Sequence, residues 1–153
     1  MTAARESSGV IGVGYEGKDL RGFVDEMRAA GADLVVDVRL NAVSRKAGFS
    51  KRSLAAALQD AGVSYEHAPE LGNPKPNRAG FAGSPAEVRA ARSRFSQMLA
   101  GEAAADRIAR IAQAAASGVV AVLCFEADDR RCHRYVILGA VHSHNRSRAP
   151  SSA

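Results

Sequence analysis

The chain has 153 residues, 46% of them hydrophobic, which is enough for one globular domain with its own core. A net charge of +5 and a pI of about 9.7 suit an anionic partner such as nucleic acid, a nucleotide or a phosphorylated metabolite, although scattered arginines in an Ala- and Arg-rich chain raise the pI without one. No apolar run approaches the roughly 18 residues of a membrane span, the N-terminus M-T-A-A-R-E-S-S-G lacks a secretory apolar stretch, and two cysteines make no disulfide framework, so the expected setting is the cytoplasm with both thiols reduced.

Residues 1–8 and 145–153 are polar, small and unpatterned, and are expected to be disordered tails around a domain spanning 9–144. Gly9 to Val13 is a short first strand. Lys18 to Ala30 places Leu20, Phe23, Val24 and Met27 at helical spacing, with Gly31 at the C-terminal cap. Leu34 to Val38 is a buried second strand. Asn41 to Phe49 is a basic loop, and Ser50 is placed to cap a helix with Leu54, Ala57, Leu58 and Ala61 inside, closed by Gly62. Val63 to Glu66 is a third strand. The Pro-, Gly- and Asn-rich stretch from Ala68 to Gly83 reads as a long loop, functional or mobile. Ser84-Pro85-Ala86-Glu87 is a capping box opening a helix to about Leu99. Glu102 to Ser117 is a further helix, Val119 to Leu123 a fully buried strand, and about Arg130 to His144 the last helix.

This order, β-α-β-α-β-α-α-β-α, predicts an α/β fold: three layers, α/β/α, around a short, mostly parallel sheet of about four strands. In such a sheet the strand exits share one edge, where ligands bind. Each exit carries capable side chains. The first leads to Tyr15 and Glu16, the second to Asp37, Arg39 and Arg45, the third to Tyr65, His67 and Glu70. The fourth leads to Cys124, Glu126, Cys132, His133 and Arg134. The competing reading is that Asp37 and Arg39 merely pair with each other.

Gly12 to Gly17 fits G-x-G-x-x-G, but only Gly9 to Ile11 precede it as strand, so its first glycines fall within or at the end of that strand. A chain this short also lacks the second half of a dinucleotide site. The narrower expectation is an anion held by backbone N–H groups at the start of the Lys18 helix. Cys132 is the better candidate for a reactive thiol. If the last helix begins at Asp128 or Asp129, Cys132 sits in its first turn beside arginines, and both favour thiolate. His133 is its neighbour and points elsewhere on a helix, which leaves His67 as the better base. Cys124 ends a buried strand and reads as an inert core thiol. A zinc set of Cys124, Cys132, His67 and His133 lacks C-x-x-C or H-x-x-x-H spacing, so no metal or cofactor is assigned. His142 and His144 are given no role.

With these residues in view, the chain resembles the family catalogued as domain of unknown function 488. The matching segments are Gly14-Tyr15-Glu16-Gly17, Asp37-Val38-Arg39 through Ser44-Arg45, Gly48-Phe49-Ser50-Lys51, Tyr65-Glu66-His67 through Glu70-Leu71-Gly72, and Leu123-Cys124-Phe125-Glu126 through Cys132-His133-Arg134. They span about Gly12 to Leu138. The chain departs from the family pattern at Asn41 and Ala42, where a proline is usual, and at Asn73, where a second glycine is usual. The resemblance implies a compact α/β domain and a shared site at these residues, without a reaction. There is also a fainter likeness to rhodanese-type sulfurtransferases, in the Asp-Val-Arg strand end and in a cysteine that closes a later strand. Glu126, Asp128 and Asp129 are expected to raise the Cys124 pKa and so oppose persulfide chemistry there.

The sequence therefore predicts an enzyme acting on a small anionic substrate, nucleotide-derived or phosphorylated, at the carboxyl edge of the sheet. Arg39, Arg45 and Arg134 would bind the anion, with Asp37, Glu70 and His133 also in the binding site. Glu126 or His67 would move protons, and Tyr15 would orient or donate. Cys132 is either a nucleophile or structural. One alternative is a non-catalytic nucleic-acid module using these arginines with Arg89, Arg92 and Arg94, although a 5% aromatic content offers few rings for base stacking. The other is a sulfurtransferase relative.

Overall fold

The computed structural model describes residues 9–148. Four strands, β1 (Gly9–Gly14), β2 (Leu34–Asp37), β3 (Ser64–His67) and β4 (Val119–Cys124), form one sheet in the order β1-β4-β2-β3. Every pairing is parallel. Six helices surround it: α1 (Leu20–Ala29), α2 (Lys51–Asp60), the single turn α3 (Lys75–Arg78), α4 (Pro85–Met98), α5 (Glu102–Ala115) and α6 (Arg134–Arg148). None of the described helices is long and apolar enough to cross a membrane.

Alternating side chains build two cores. Val35, Ala121 and Leu123 face Phe23 and Met27 of α1 and Leu54 and Leu58 of α2. Val36, Val120 and Val122 face Phe95 of α4, Ile108 and Ile111 of α5, and Ile137 and Val141 of α6. The central strand β4 is buried along its whole length, as expected of a parallel strand covered on both faces.

Most elements lie within a few residues of the positions predicted from sequence. Gly12 and Gly14 fall inside β1, so no dinucleotide turn forms there. Gly31 and Gly62 take positive φ directly after the caps of α1 and α2, the left-handed step that ends helices. Asp19 caps α1 by accepting from the Gly22 N–H at 2.8 Å. The Ser84–Glu87 capping box is present in both directions, at 2.7 and 3.2 Å.

Several expectations need correction. Ser50 makes no side-chain cap to α2; its Oγ instead accepts from the Ser44 N–H at 3.0 Å, closing the basic loop. The long loop is structured as a 3-10 turn at Pro69–Leu71, the α3 turn, and a second 3-10 turn at Ala79–Ala82. The last helix starts later than expected, at Arg134, and runs on to Arg148. Asp128 accepts from the Arg130 N–H at 3.0 Å, which closes a separate 3-10 turn at Asp129–Arg131, and Cys132 follows in extended backbone. Cys132 is therefore not in a helical first turn. The rest of the expected tails, 1–8 and 149–153, lies outside the described residues.

Ser84→Ala should lower unfolding stability by about 1 kcal/mol, read from the urea midpoint. Ser50→Ala should leave the helical content of α2 unchanged, because its hydroxyl serves the preceding loop. Equal losses of helix in the two variants would contradict this division.

Candidate active site

The register sets Gly14 opposite Cys124 and Asp37 opposite Leu123. The central strand thus ends between two neighbours that stop at the same level. Beyond Cys124 the chain turns back over the end of β1, where it is held from several directions. The Glu16 N–H donates to the Phe125 carbonyl at 2.9 Å, and Glu16 Oε1 accepts from the Ala127 N–H at 3.0 Å. A Cβ at Gly14 would collide with the Glu126 carbonyl, and one at Gly12 with the Asp129 carboxylate. Two glycines of the G-x-G-x-x-G run thus make room for the loop leaving β4.

Arg134, fully buried, completes the clamp. Its Nε donates to Asp129 Oδ1 at 2.5 Å, one terminal nitrogen to the Val13 carbonyl at 3.0 Å, and the other to the Glu126 carbonyl. The side chain expected to bind an anion instead holds the loop to the end of β1.

Under this loop is a cavity of about 290 Å³ whose lining includes Tyr15, Arg39, Asn73, Arg78, Phe81, Cys124, Glu126, Arg131, Cys132 and His133. Its floor brings the donor atoms of Cys124, Cys132 and His133 within 4.8 Å of one another. Cys124 is 8% and Cys132 3% exposed. His133 Nε2 lies 2.9 Å from the Val38 carbonyl. A carbonyl only accepts, so Nε2 carries a proton, and in neutral imidazole Nδ1 is left as a lone pair. That Nδ1 lies 3.5 Å from Cys132 Sγ. The expectation that these sequence neighbours point apart is corrected, because Cys132 precedes the helix and its extended backbone lets the pair meet.

The two thiols behave oppositely. The adjacent Cys132 thiol, with the Phe125 N–H and, when its ring is charged, His133, holds the Cys124 pKa well below the ordinary thiol value against the effect of burial. Cys132 is pushed up by its hydrogen bond with Cys124, by burial and by the Cys124 charge. Two adjacent sulfurs do not both ionise, so one proton is shared and Cys132 keeps it. Glu126 Oε1 lies 3.7 Å from Cys124 Sγ. Burial, then the Cys124 charge, raises the Glu126 pKa. The other two acids do not raise the Cys124 thiol as expected, since Asp128 faces Arg130 and Asp129 faces Arg134. The lowered pKa thus falls on Cys124, the thiol that ends the buried strand, and the raised one on Cys132.

Beside the floor is a second buried cluster. Asp37 Oδ1 accepts from Arg39 Nε at 2.9 Å, and Oδ2 accepts from Arg39 Nη2 at 2.6 Å and from the Tyr65 hydroxyl at 2.5 Å. Arg39 Nη1 donates to the Tyr15 hydroxyl at 3.1 Å and to the Phe49 carbonyl at 2.7 Å. Four of its five N–H groups are thereby used. Burial works against the Arg39 charge, but Asp37 raises its pKa overall. Burial and the bond to Asp37 raise the Tyr65 pKa too. The Tyr15 ring stacks on Phe49 at 4.5 Å. Arg39 is thus chiefly a brace that fixes Tyr15 at the cavity wall.

The remaining expected residues do not line the cavity. His67 Nε2 bonds to the Arg39 carbonyl at 2.8 Å. Glu70 accepts from Arg107 Nε at 2.8 Å, and its own turn's backbone and Arg107 lower its pKa against the effect of burial. Arg45 is exposed in the basic loop. The strand order explains the miss. His67 ends β3, which lies two strands from β4, about 10 Å away at the usual spacing. Four exits are level, but only those of β1, β4 and β2 converge. Asn73, Arg78 and Phe81 arrive instead from the long loop, whose composition marks it as functional or mobile without saying which side chains enter. Arg131 was visible only as part of a charge cluster. The three floor donors are of types that could hold a metal; among the described residues no fourth joins them within that radius, and His67 is engaged elsewhere.

The fold and cavity define a parallel α/β protein with a dithiol–histidine floor at the carboxyl edge of its sheet. The chain belongs to the family described as Domain of unknown function DUF488, whose model matches residues 19–141. The match begins just after the Gly14–Gly17 segment. No curated protein and no solved structure matches the chain.

Replacing Asp37 alone by Leu, or Arg39 alone by Met, should cost about 3–5 kcal/mol, because each leaves a buried charge unpaired. The double variant should lose clearly less than the sum, with a coupling of about 1–3 kcal/mol in urea unfolding. Additive losses would show that the two charges do not depend on each other.

Proposed function

We propose that this protein is a thiol-dependent enzyme acting on a small anionic substrate, with Cys124 as the nucleophile. The observation that carries this reading is the position of Cys124. It is at the cavity floor, among the Cys132 thiol, His133 Nδ1 and the Glu126 carboxylate. A nucleophile needs a neighbour that holds or takes its proton and a third group that orients that neighbour. Here Cys132 and His133 supply the first, and the Val38 carbonyl fixes His133. A thiolate forms at low cost where donors face it. Glu126, whose pKa is raised by burial, is the carboxyl placed to hand a proton to a leaving group.

The substrate class follows from the walls. Arg78 donates its Nε to the Asn73 carbonyl at 3.0 Å, which positions the guanidinium against the cavity. Arg131 is exposed at the same cavity. Together they favour an anionic group, while Tyr15 and Phe81 offer apolar surface. The volume, about 290 Å³, is at the low end of small-molecule pockets.

Charge-matched alkylation tests both parts. Cys124 should react with iodoacetamide with an apparent pKa below the free-thiol value of about 8.5, the rate rising with pH through that pKa to a plateau. Cys124→Ser should abolish the reaction. Anionic iodoacetate should gain on neutral iodoacetamide relative to a free thiol, and Arg78→Ala with Arg131→Ala should erase the gain. An ordinary pKa would remove the nucleophile, and an unchanged reagent ratio would remove the anionic substrate.

A further inference from the structure

As a nucleophile Cys124 needs the Cys132 sulfur only as a neighbouring thiol. We infer that Cys124 and Cys132 form a two-electron dithiol–disulfide couple that reduces small hydroperoxides, with Cys132 as the resolving thiol. This rests on Cys124 being the reactive sulfur of the cavity.

The geometry assigns the two roles. Both sulfurs line the cavity, but Cys124 is the more open and Cys132 the more buried, so a small oxidant meets Cys124 first. The sulfurs lie within 4.8 Å, and a bond of about 2.05 Å requires them to close by under about 3 Å. Cys132 is free of regular helix, in extended backbone between the 3-10 turn and α6. The side chains of Arg130 and Arg131 before it are exposed, so a small shift of this turn displaces little core. His133 Nδ1 faces Cys132 Sγ at 3.5 Å with its lone pair set by the Val38 carbonyl. Cys132 therefore has its own proton acceptor at the moment it must attack.

In the first step the Cys124 thiolate attacks the terminal oxygen of the hydroperoxide. The O–O bond breaks, the alkoxide leaves and takes a proton from water, and Cys124 becomes a sulfenic acid. In the second step Cys132 attacks that sulfur and passes its proton to His133. The hydroxide leaves and takes this proton as water, and the disulfide forms. Sulfur has lost two electrons, the peroxide has gained them, and an external dithiol restores the pair. A vicinal thiol that captures the sulfenic acid also protects it from irreversible oxidation.

The reduced protein treated with stoichiometric hydrogen peroxide provides the test, read by intact mass and thiol count. The wild type should lose both thiols together, with a mass lower by two hydrogens, and should recover fully with dithiothreitol. Cys132→Ser should still consume peroxide, but stop at a sulfenic acid that dimedone traps at Cys124. Cys124→Ser should keep its thiol on the same timescale. A wild type that retains two free thiols, or goes directly to sulfinic acid, would overturn the couple, and needs no variant to show it. So would a tightly held zinc ion that leaves both thiols unreactive. If alkylation shows an activated Cys124 while peroxide yields no disulfide, only the couple fails; a sluggish Cys124 in both assays removes the nucleophile as well.

Discussion

Arg134 lies without solvent contact at the point where β1, β4 and the loop between β4 and α6 meet. Its donors reach the Val13 carbonyl, the Glu126 carbonyl and the Asp129 carboxylate. Burying a guanidinium is costly unless its donors find acceptors, and removing one partner leaves the other charge stranded. The side chain therefore tolerates few loop conformations. The one it accepts brings Glu126 to Cys124 and leaves Cys132 and His133 at the same cavity. The site depends on this clamp more than on any single group inside it.

A second guanidinium works similarly from the β2 side. Arg39 is locked to Asp37 and reaches Tyr15 across the end of β4. Tyr65 and His67 at the edge strand close that cluster from outside, one on Asp37 and one on the Arg39 carbonyl. Neither cluster is a surface ion pair worth a few tenths of a kcal/mol. Each is a buried polar network whose members are valuable only together. Between the two lies the central strand, fully buried, which delivers a thiol to the cavity beside both networks.

The fold was legible because its signals are periodic. The alternation of buried strands with amphipathic helices, the glycines at 31 and 62, and the Ser84–Glu87 box all act over short distances, and each shows directly in the residues. The site was legible only in part. Tyr15, Glu126, Cys132 and His133 were chosen by type and do line the cavity. His67 and Glu70 were chosen on the same grounds and do not, because the order β1-β4-β2-β3 is a long-range property that the sequence pattern does not carry. Cys124 was set aside because a cysteine ending a buried strand is ordinarily inert. What the residue pattern does not carry is the Cys132 thiol beside it, brought there by a 3-10 turn that replaces the expected first turn of a helix. Arginines show the same limit: Arg39, Arg134 and Arg78 are alike in sequence, and only the structure shows that Arg134 is an internal brace, Arg78 part of the cavity wall, and Arg39 both.

The central claim is that the two sulfurs face each other at an open floor, so the direct measurement is whether one short reagent can hold both. Phenylarsine oxide bridges a pair of thiols only when they are close and accessible in the folded state. The native protein should bind one equivalent, release it to a competing dithiol, and lose this binding in Cys124→Ser and in Cys132→Ser alike. Native protein with both thiols reduced that takes up no arsenical, or a Cys132→Ser variant that binds as well as wild type, would contradict the account.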